Sequence, residues 1–358
     1  MRFLLAVSPQ QPTGVDSVHY FLANGLKTLG HDCEFITFDR QISPEAQAFF
    51  APCKTIPHLP NFFRVLFPRG RDWSRIQLAY QERKLRTLLN SEAPVNYLCG
   101  HLTLLQPQML PAVTQVGVIH APDESNRTRW LAYKDVWCPT IAVSQQSREF
   151  CFGTENQTTP VITNGVTVPE RSPKKSLSAP LKLIWCGRLE DKQKRASDLI
   201  EIANRLLDQG VDFTLKIVGE GPLADKLTRE LCTAKSRVEI TGPLPRGEVW
   251  KLMDESHAIL MTSNYEGMPM SLLEAMSRGC IPVVYPGIGD ALGFVQEHAP
   301  DLITDKAAPI QLTKILLRLS QSVEALPQRA ESIHRAMQAS PYTDVSMAKQ
   351  YITAIEAV

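Results

Sequence analysis

The chain alternates short apolar runs with segments whose apolar residues fall three or four positions apart. Residues 3–7 form the first run and predict a buried strand. A Pro/Gly loop follows over 8–14. From 16 to 29, Val18, Phe21, Leu22, Leu26 and Leu29 share one helical face, and Gly30 closes the helix. Residues 31–38 read as a second strand. Strand, helix, strand in this order predicts a parallel sheet. Further strands are predicted at 96–100, 116–120 and 140–144, and the segment 161–166 closes a first block. A second block holds apolar runs at 181–186, 213–218, 238–241, 258–262 and 280–285, with helical patterns at 197–207, 248–256 and 271–278. Helices are also predicted at 310–319, 323–338 and 342–357. Residues 40–61 carry several prolines without a clear period and read as loop, with a short helix as the alternative.

The two blocks suit a chain of 358 residues, which is long for one domain. Between them, residues 169–180 (PERSPKKSLSAP) have the composition of a linker. The predicted organisation is an N-terminal α/β domain at 1–168, the linker, a C-terminal α/β domain at 181–340, and a last helix within 341–358.

Charge excludes one class of partner. The chain has 38 basic and 37 acidic residues, a net charge of +1, which argues against a nucleic-acid binder. Its eight cysteines form no C-x-x-C pair and read as reduced thiols of a cytosolic protein. The start, MRFLLAVSPQQ, lacks the apolar length and cleavage site of a signal peptide. No run approaches the roughly 20 apolar residues that span a bilayer. The expected location is the cytoplasm, with contact at the inner face of a membrane left open. One segment bears on that contact. Residues 62–86 carry seven basic and two acidic side chains, with Phe62, Phe63, Phe67 and Trp73 among them. That pattern suits a membrane surface, an anionic acceptor, or a solvated helix beside core aromatics.

The candidate chemistry centres on 265–286, YEGMPMSLLEAMSRGCIPVVYP. Pro269 suits the first position of a helix, and Gly279 suits the end of one. The loop Gly267-Met268-Pro269-Met270 would aim backbone N–H groups outward at a helix N-terminus, which favours phosphate. Glu266 and Glu274 lie at either end of this loop and helix, where carboxylates can accept from hydroxyls. A ligand that is part phosphate and part polyol fits both. A second candidate is the strand, basic loop and helix of 181–207, with Gly187, Arg188, Lys192, Lys194 and Arg195. Arginine can engage phosphate with two donors, and lysine acts as a point charge. The Gly219-Glu220-Gly221 turn lacks the third glycine of a dinucleotide loop, because Ala224 stands there, so a dehydrogenase reading is rejected. In the first block, His120 and His101 each follow a strand, where open α/β sheets place ligands.

EGMPMSLLEAM, with the A-M-x-x-G ending, resembles the E-x7-E signature of the retaining glycosyltransferases of family 4, which have the GT-B fold. The segments Ile162 to Val166 (I-x-N-G-V), Gly187-Arg188-Leu189 and Val218 to Leu223 (V-G-x-G-P-L) resemble the same family. The loop Pro12-Thr13-Gly14-Val15 departs from it, carrying one glycine of the usual pair.

The resemblance implies two Rossmann-like domains facing across a cleft, with the last helix crossing back to the first domain. It implies a nucleotide-diphospho-sugar donor, with a UDP-sugar preferred, and a glycan or glycolipid acceptor of the polysaccharide or lipopolysaccharide type. The diphosphate would meet Arg188, Lys194 (Lys192 being the alternative) and the N–H groups of Met270, Ser271 and Leu272. The sugar would meet Glu266, Gly267, Met268, Pro269 and Met270, and Glu274 would take the ribose. Gly14, Gly187, Gly219 and Gly242 would line the donor. Glu266, Arg188, Lys194 and His120 are the catalytic candidates, with His101 competing for the role of His120. Retention at the anomeric carbon is implied. No cofactor and no metal is expected, and no D-x-D occurs in the chain. The alternatives are an epimerase or phosphorylase of the same fold, or a non-catalytic sugar-nucleotide-binding protein.

Overall fold

The structure is a computed structural model that describes residues 1–7, 14–37, 47, 49–56, 80–81, 83–85, 87, 97–101, 114–133, 138–155, 157–234 and 236–357. The chain divides into two units, one of residues 1–163 with 344–358 and the other of residues 164–343.

The first unit runs β1 (Arg2–Val7), α1 (Gly14–Thr28), β2 (Asp32–Thr37), β3 (Cys53–Thr55), β4 (Tyr97–His101), β5 (Thr114–Ile119), α2 (Glu124–Tyr133), β6 (Thr140–Ala142) and α3 (Gln145–Phe152). Its strands pair in parallel in the order β3-β2-β1-β4-β5-β6. β1 is buried along its whole length, as a central strand covered on both faces must be. Val18, Phe21, Leu22 and Leu26 of α1 are buried, as their spacing predicts.

The second unit runs β7 (Leu181–Cys186), α4 (Asp198–Asp208), β8 (Phe213–Val218), α5 (Ala224–Glu230), β9 (Val238–Gly242), α6 (Arg246–Glu255), β10 (Ala258–Met261), α7 (Met270–Ser277), β11 (Ile281–Val284), α8 (Ala291–His298), α9 (Pro309–Ser320) and α10 (Leu326–Ala339). Its five strands are parallel in the order β11-β10-β7-β8-β9. The last helix, α11 (Asp344–Glu356), belongs to the first unit and packs on α1. No helix of the described residues is long and apolar enough to cross a membrane.

Several elements differ from the sequence expectation. Part of the loop expected at 40–61 is β3, an edge strand of three residues on β2. After Pro122, where the sequence pattern predicts no element, stands α2, started by the Asp123 carboxylate, which accepts from the Asn126 N–H at 2.9 Å. α3, α5 and α8 have no counterpart in the expectation. Residues 169–180, expected as linker, group with the second unit. Lys175 is buried there and donates to Met253 O at 2.7 Å and Asp254 O at 3.0 Å, the last carbonyls of α6. Gln338 Nε2 on α10 donates to Pro169 O and Glu170 O.

Candidate functional site

The strand order of the second unit selects a place for a ligand. From β7 the sheet grows one way through β8 and β9, and the other way through β10 and β11. Crossovers that diverge from a pair of neighbouring strands leave a crevice at their carboxyl ends. The segments leaving β7 and β10 are 187–195 and 262–270, which carry Arg188, Lys194 and Glu266.

Backbone packing shapes the first of them. Gly187 N–H donates to Val218 O at 3.0 Å, and Leu189 N–H to Glu220 O at 2.8 Å. Gly219 has φ +133°, and a Cβ there would stand 1.9 Å from Gly187 O. The two turns therefore meet main chain to main chain. Gly219 N–H in turn donates to Gly242 O at 3.0 Å, linking the end of β9. Arg188 is exposed on this platform and has no carboxylate partner among the described residues.

Beyond Arg188 the Glu190 carboxylate accepts from the N–H groups of Gln193 (3.0 Å) and Lys194 (2.8 Å), folding the basic loop into a turn. Arg195 adopts φ +47° and binds Asp198 through Nε at 2.9 Å. Tyr285 OH donates to the same carboxylate at 2.9 Å. Burial first, then the Asp198 charge, pushes the Tyr285 phenol above its usual range. Thr262 Oγ1 donates to Lys194 O at 2.7 Å, and Asn264 N–H to Gln193 O at 2.7 Å. These bonds stitch the two segments together and turn Lys194 inward, while Lys192 is exposed.

Lys194 Nζ lies 2.6 Å from Glu266 Oε1, and both side chains are largely buried. Ser263 Oγ donates to the same oxygen at 2.7 Å, and Gln193 Nε2 to Oε2 at 3.1 Å. Glu266 is thus a buried carboxylate held by one cation and two neutral donors.

Glu266 leads into α7. The N–H groups of Met270 and Ser271 meet no backbone carbonyl among the described residues, whereas those of Leu272 and Leu273 bond to Pro269 O at 3.1 and 3.2 Å. Leu272 therefore offers no N–H to a ligand, contrary to the sequence expectation, because the first turn closes on itself. Asn164 Nδ2 donates to Met268 O at 3.4 Å, and Asp290 N–H to Gly267 O at 3.1 Å, bracing the loop from two sides. Further along α7, Glu274 is buried and accepts from Trp250 Nε1–H at 2.6 Å. Arg246 lies 3.8 Å from its other oxygen.

The remaining candidates belong to the first unit. Gly14 is the first residue of α1 and His101 the last of β4. His120 follows β5, half-buried, with its ring centroid 5.8 Å from that of His19 in an edge-to-face contact. His19 is fully buried and donates from Nδ1 to Ala6 O at 2.8 Å, and burial lowers its pKa. Most of the basic-aromatic stretch at 61–86 lies outside the described residues.

Sequence reasoning passed over Gln193, Ser263, Trp250 and Arg246. The first two hold Glu266, and neither carries a motif. The other two could have been found from spacing. Arg246, Trp250 and Asp254 recur every four residues on α6, matching Glu274 on α7 and Arg278 at its end.

Residues 169–336 match the family model of glycosyl transferases group 1. Over 130 residues the chain is 35% identical to WcaL of Escherichia coli (strain K12), a protein named for a glycosyltransferase role in colanic acid biosynthesis. That match covers 34% of this chain and 32% of WcaL. A 2-deoxystreptamine glucosyltransferase of Streptomyces kanamyceticus is 32% identical over 118 residues, 32% of this chain and 30% of that protein. The matched stretch thus spans about a third of the length of these relatives. Among solved structures, Anabaena HepE in complex with UDP-glucose superposes with a TM-score of 0.73 at 15% identity, over 100% of both chains, a likeness of fold. The chain has the α/β architecture of GT-B proteins, and its residues 169–336 are similar to the glycosyl transferases group 1.

Proposed function

We propose that the chain is a retaining, metal-independent glycosyltransferase that moves a sugar from a UDP-sugar to a glycan or glycolipid acceptor. The observation that carries this reading is the Lys194–Glu266 pair just before α7, with exposed Arg188 on the same basic loop as Lys194 and buried Glu274 eight residues after Glu266. Two carboxylates for hydroxyls lie on one short length of chain, and a cation for phosphate is held against the first of them by the fold. The diphosphate meets Arg188, Lys194 and the N–H groups of Met270 and Ser271. Glu266 accepts from sugar hydroxyls, and Glu274 from the ribose. HepE, solved with UDP-glucose on the same fold, supports uridine as the base. The relatives named for colanic acid and 2-deoxystreptamine support a saccharide-like acceptor.

In the reaction the bond between the anomeric carbon and the diphosphate oxygen breaks, and its electron pair leaves with the oxygen. The acceptor hydroxyl oxygen bonds to the carbon on the same face and passes its proton to the departing phosphate. Negative charge grows on the leaving group as this happens. Fixed cations and N–H groups aimed there stabilise the transition state more than the substrate. Loss of Arg188 or Lys194 should lower turnover by about 10²–10³. A cytoplasmic location belongs to the same proposal, supported by seven free cysteines among the described residues.

The test is a thermal-shift series with UDP, GDP and ADP, with and without EDTA, on wild type and Glu274→Ala. A ligand at 100 times its dissociation constant should add about 2.7 kcal/mol of stability. A UDP shift that survives EDTA and shrinks in the variant is expected. No shift with any nucleotide overturns the donor site, and turnover of a UDP-sugar without an acceptor points to an epimerase or hydrolase.

A further inference from the structure

The face between α6 and α7 is built from polar side chains in register. Arg246, Trp250 and Asp254 line α6, and Glu274 of α7 and Arg278, the residue that caps its end, stand opposite. Arg278 NH1 donates to both oxygens of Asp254, at 2.7 and 2.9 Å. Its guanidinium lies over the Trp250 ring, 4.8 Å from the centroid. The indole N–H then donates to Glu274 Oε2 at 2.6 Å. Ion pair, cation–π contact and hydrogen bond run in series and end on one buried carboxylate.

We propose that Trp250 is a positioning residue for the nucleotide, fixing Glu274 as an oriented acceptor and thereby setting the preference for ribose over deoxyribose. The inference rests on the reading of Glu274 as the ribose carboxylate. An indole N–H can only donate and a carboxylate can only accept, so the bond between Trp250 and Glu274 has one direction. A carboxylate has about four lone-pair sites, and Trp250 takes one of them. The ring is stacked under Arg278, which Asp254 anchors, so that lone-pair direction is fixed. The remaining sites then point along fixed directions, where the two hydroxyls of a ribose can both donate. With the indole N–H gone, Glu274 can turn about its side-chain bonds and the two-point contact is no longer set in advance. α6 also begins directly after Gly242-Pro243-Leu244-Pro245, so the chain that closes β9 continues into the element holding the carboxylate.

Trp250→Phe separates this role from packing, since it keeps a ring under Arg278 and removes the N–H. Binding of UDP and 2′-deoxy-UDP to wild type, Trp250→Phe and Trp250→His would be followed by calorimetry, with donor KM and kcat beside it. Trp250→Phe should bind UDP about tenfold more weakly. Its preference for UDP over 2′-deoxy-UDP should collapse towards unity, with the loss in KM and kcat held within about twofold. Trp250→His, which regains an N–H, should recover part of the preference. Equal weakening of both nucleotides in Trp250→Phe, or an unchanged preference, overturns the proposal while leaving the donor site intact. Failure of wild type to bind UDP at all overturns the donor site and the proposal with it.

Discussion

Arg188 and Lys194 share a role in the proposed reaction, yet their surroundings differ, and their replacement should separate binding from stability. Arg188 is exposed and has no carboxylate partner among the described residues. Lys194 and Glu266 are 17% and 8% exposed and 2.6 Å apart. Lys194→Met keeps the aliphatic stem and deletes the charge. Glu266 is left buried with two neutral donors, Ser263 Oγ and Gln193 Nε2. Breaking a buried pair from one side costs roughly 3–5 kcal/mol. The surviving hydrogen bonds and the remaining solvent access at Lys194 bring the expected loss to about 2 kcal/mol. Arg188→Met should stay within about 0.5 kcal/mol of wild type, as exposed substitutions do. Lys194→Met/Glu266→Gln should recover about 1 kcal/mol or more, because the uncompensated charge is gone. Urea unfolding followed by tryptophan fluorescence reads this, since Trp185 and Trp250 both lie in the second unit. Both single variants should lose UDP affinity. Equal stability of Lys194→Met and Arg188→Met, or a double variant weaker than Lys194→Met, would refute the reasoning.

Three further outcomes follow from the structure. Gly289 has φ +60°, and a Cβ there would stand 2.1 Å from Gly267 O and 2.4 Å from Glu266 O. Gly289→Ala should therefore lower both the melting temperature and UDP affinity, while Gly293→Ala in α8, with nothing within 4 Å, should stabilise by about 0.4–1 kcal/mol. Lys175→Ala removes the cation that caps α6 and should cost about 2 kcal/mol by urea unfolding; a neutral result would mean that residues 169–180 act as a plain linker after all. Acid should weaken the fold early. His19 and His257 have pKa values lowered chiefly by burial, and His257 uses both ring nitrogens in its neutral form, accepting from Lys182 N–H and donating to Ser176 O. The unfolded chain then binds more protons than the folded one below about pH 6.5, so stability falls as pH drops through that value. A melting temperature that holds or rises between pH 7 and 5.5 would contradict this.

The second unit was legible because strands such as β10 and β11 are covered on both faces. Such strands are written as unbroken apolar runs, and Ile281–Val284 or Ala258–Met261 cannot be mistaken for surface. What failed was written in another way. β3 is Cys-Lys-Thr at a sheet edge, where one partner suffices and no apolar run is needed. α2 presents little apolar surface, and its start is encoded in one capping carboxylate, Asp123, with six polar residues between it and Trp130. Lys175 looked like linker charge because burial of a lysine by helix carbonyls leaves no mark on periodicity. The carboxylates and cations of the site were readable from a motif. Gln193 and Ser263 were not, since each matters only through the Glu266 carboxylate that it touches, whereas Trp250 and Arg246 left a trace in their spacing on α6.

The same pair that holds the site in shape also narrows what can enter it on the proposed reading. A free phosphate that draws Lys194 away leaves Glu266 buried beside neutral donors only, so part of its binding energy is lost to that stranded charge. A sugar phosphate brings hydroxyl donors that replace the ammonium on Glu266 at the moment its phosphate takes the lysine. The exchange is then close to balanced, and the favourable contacts at Arg188, the α7 N-terminus and Glu274 remain as net binding. Selection for a ligand with anion and polyol joined therefore arises from the Lys194–Glu266 contact itself, without any further side chain. Lys194→Met should flatten it: inorganic phosphate and a sugar phosphate would then bind with more similar affinities than they do to wild type.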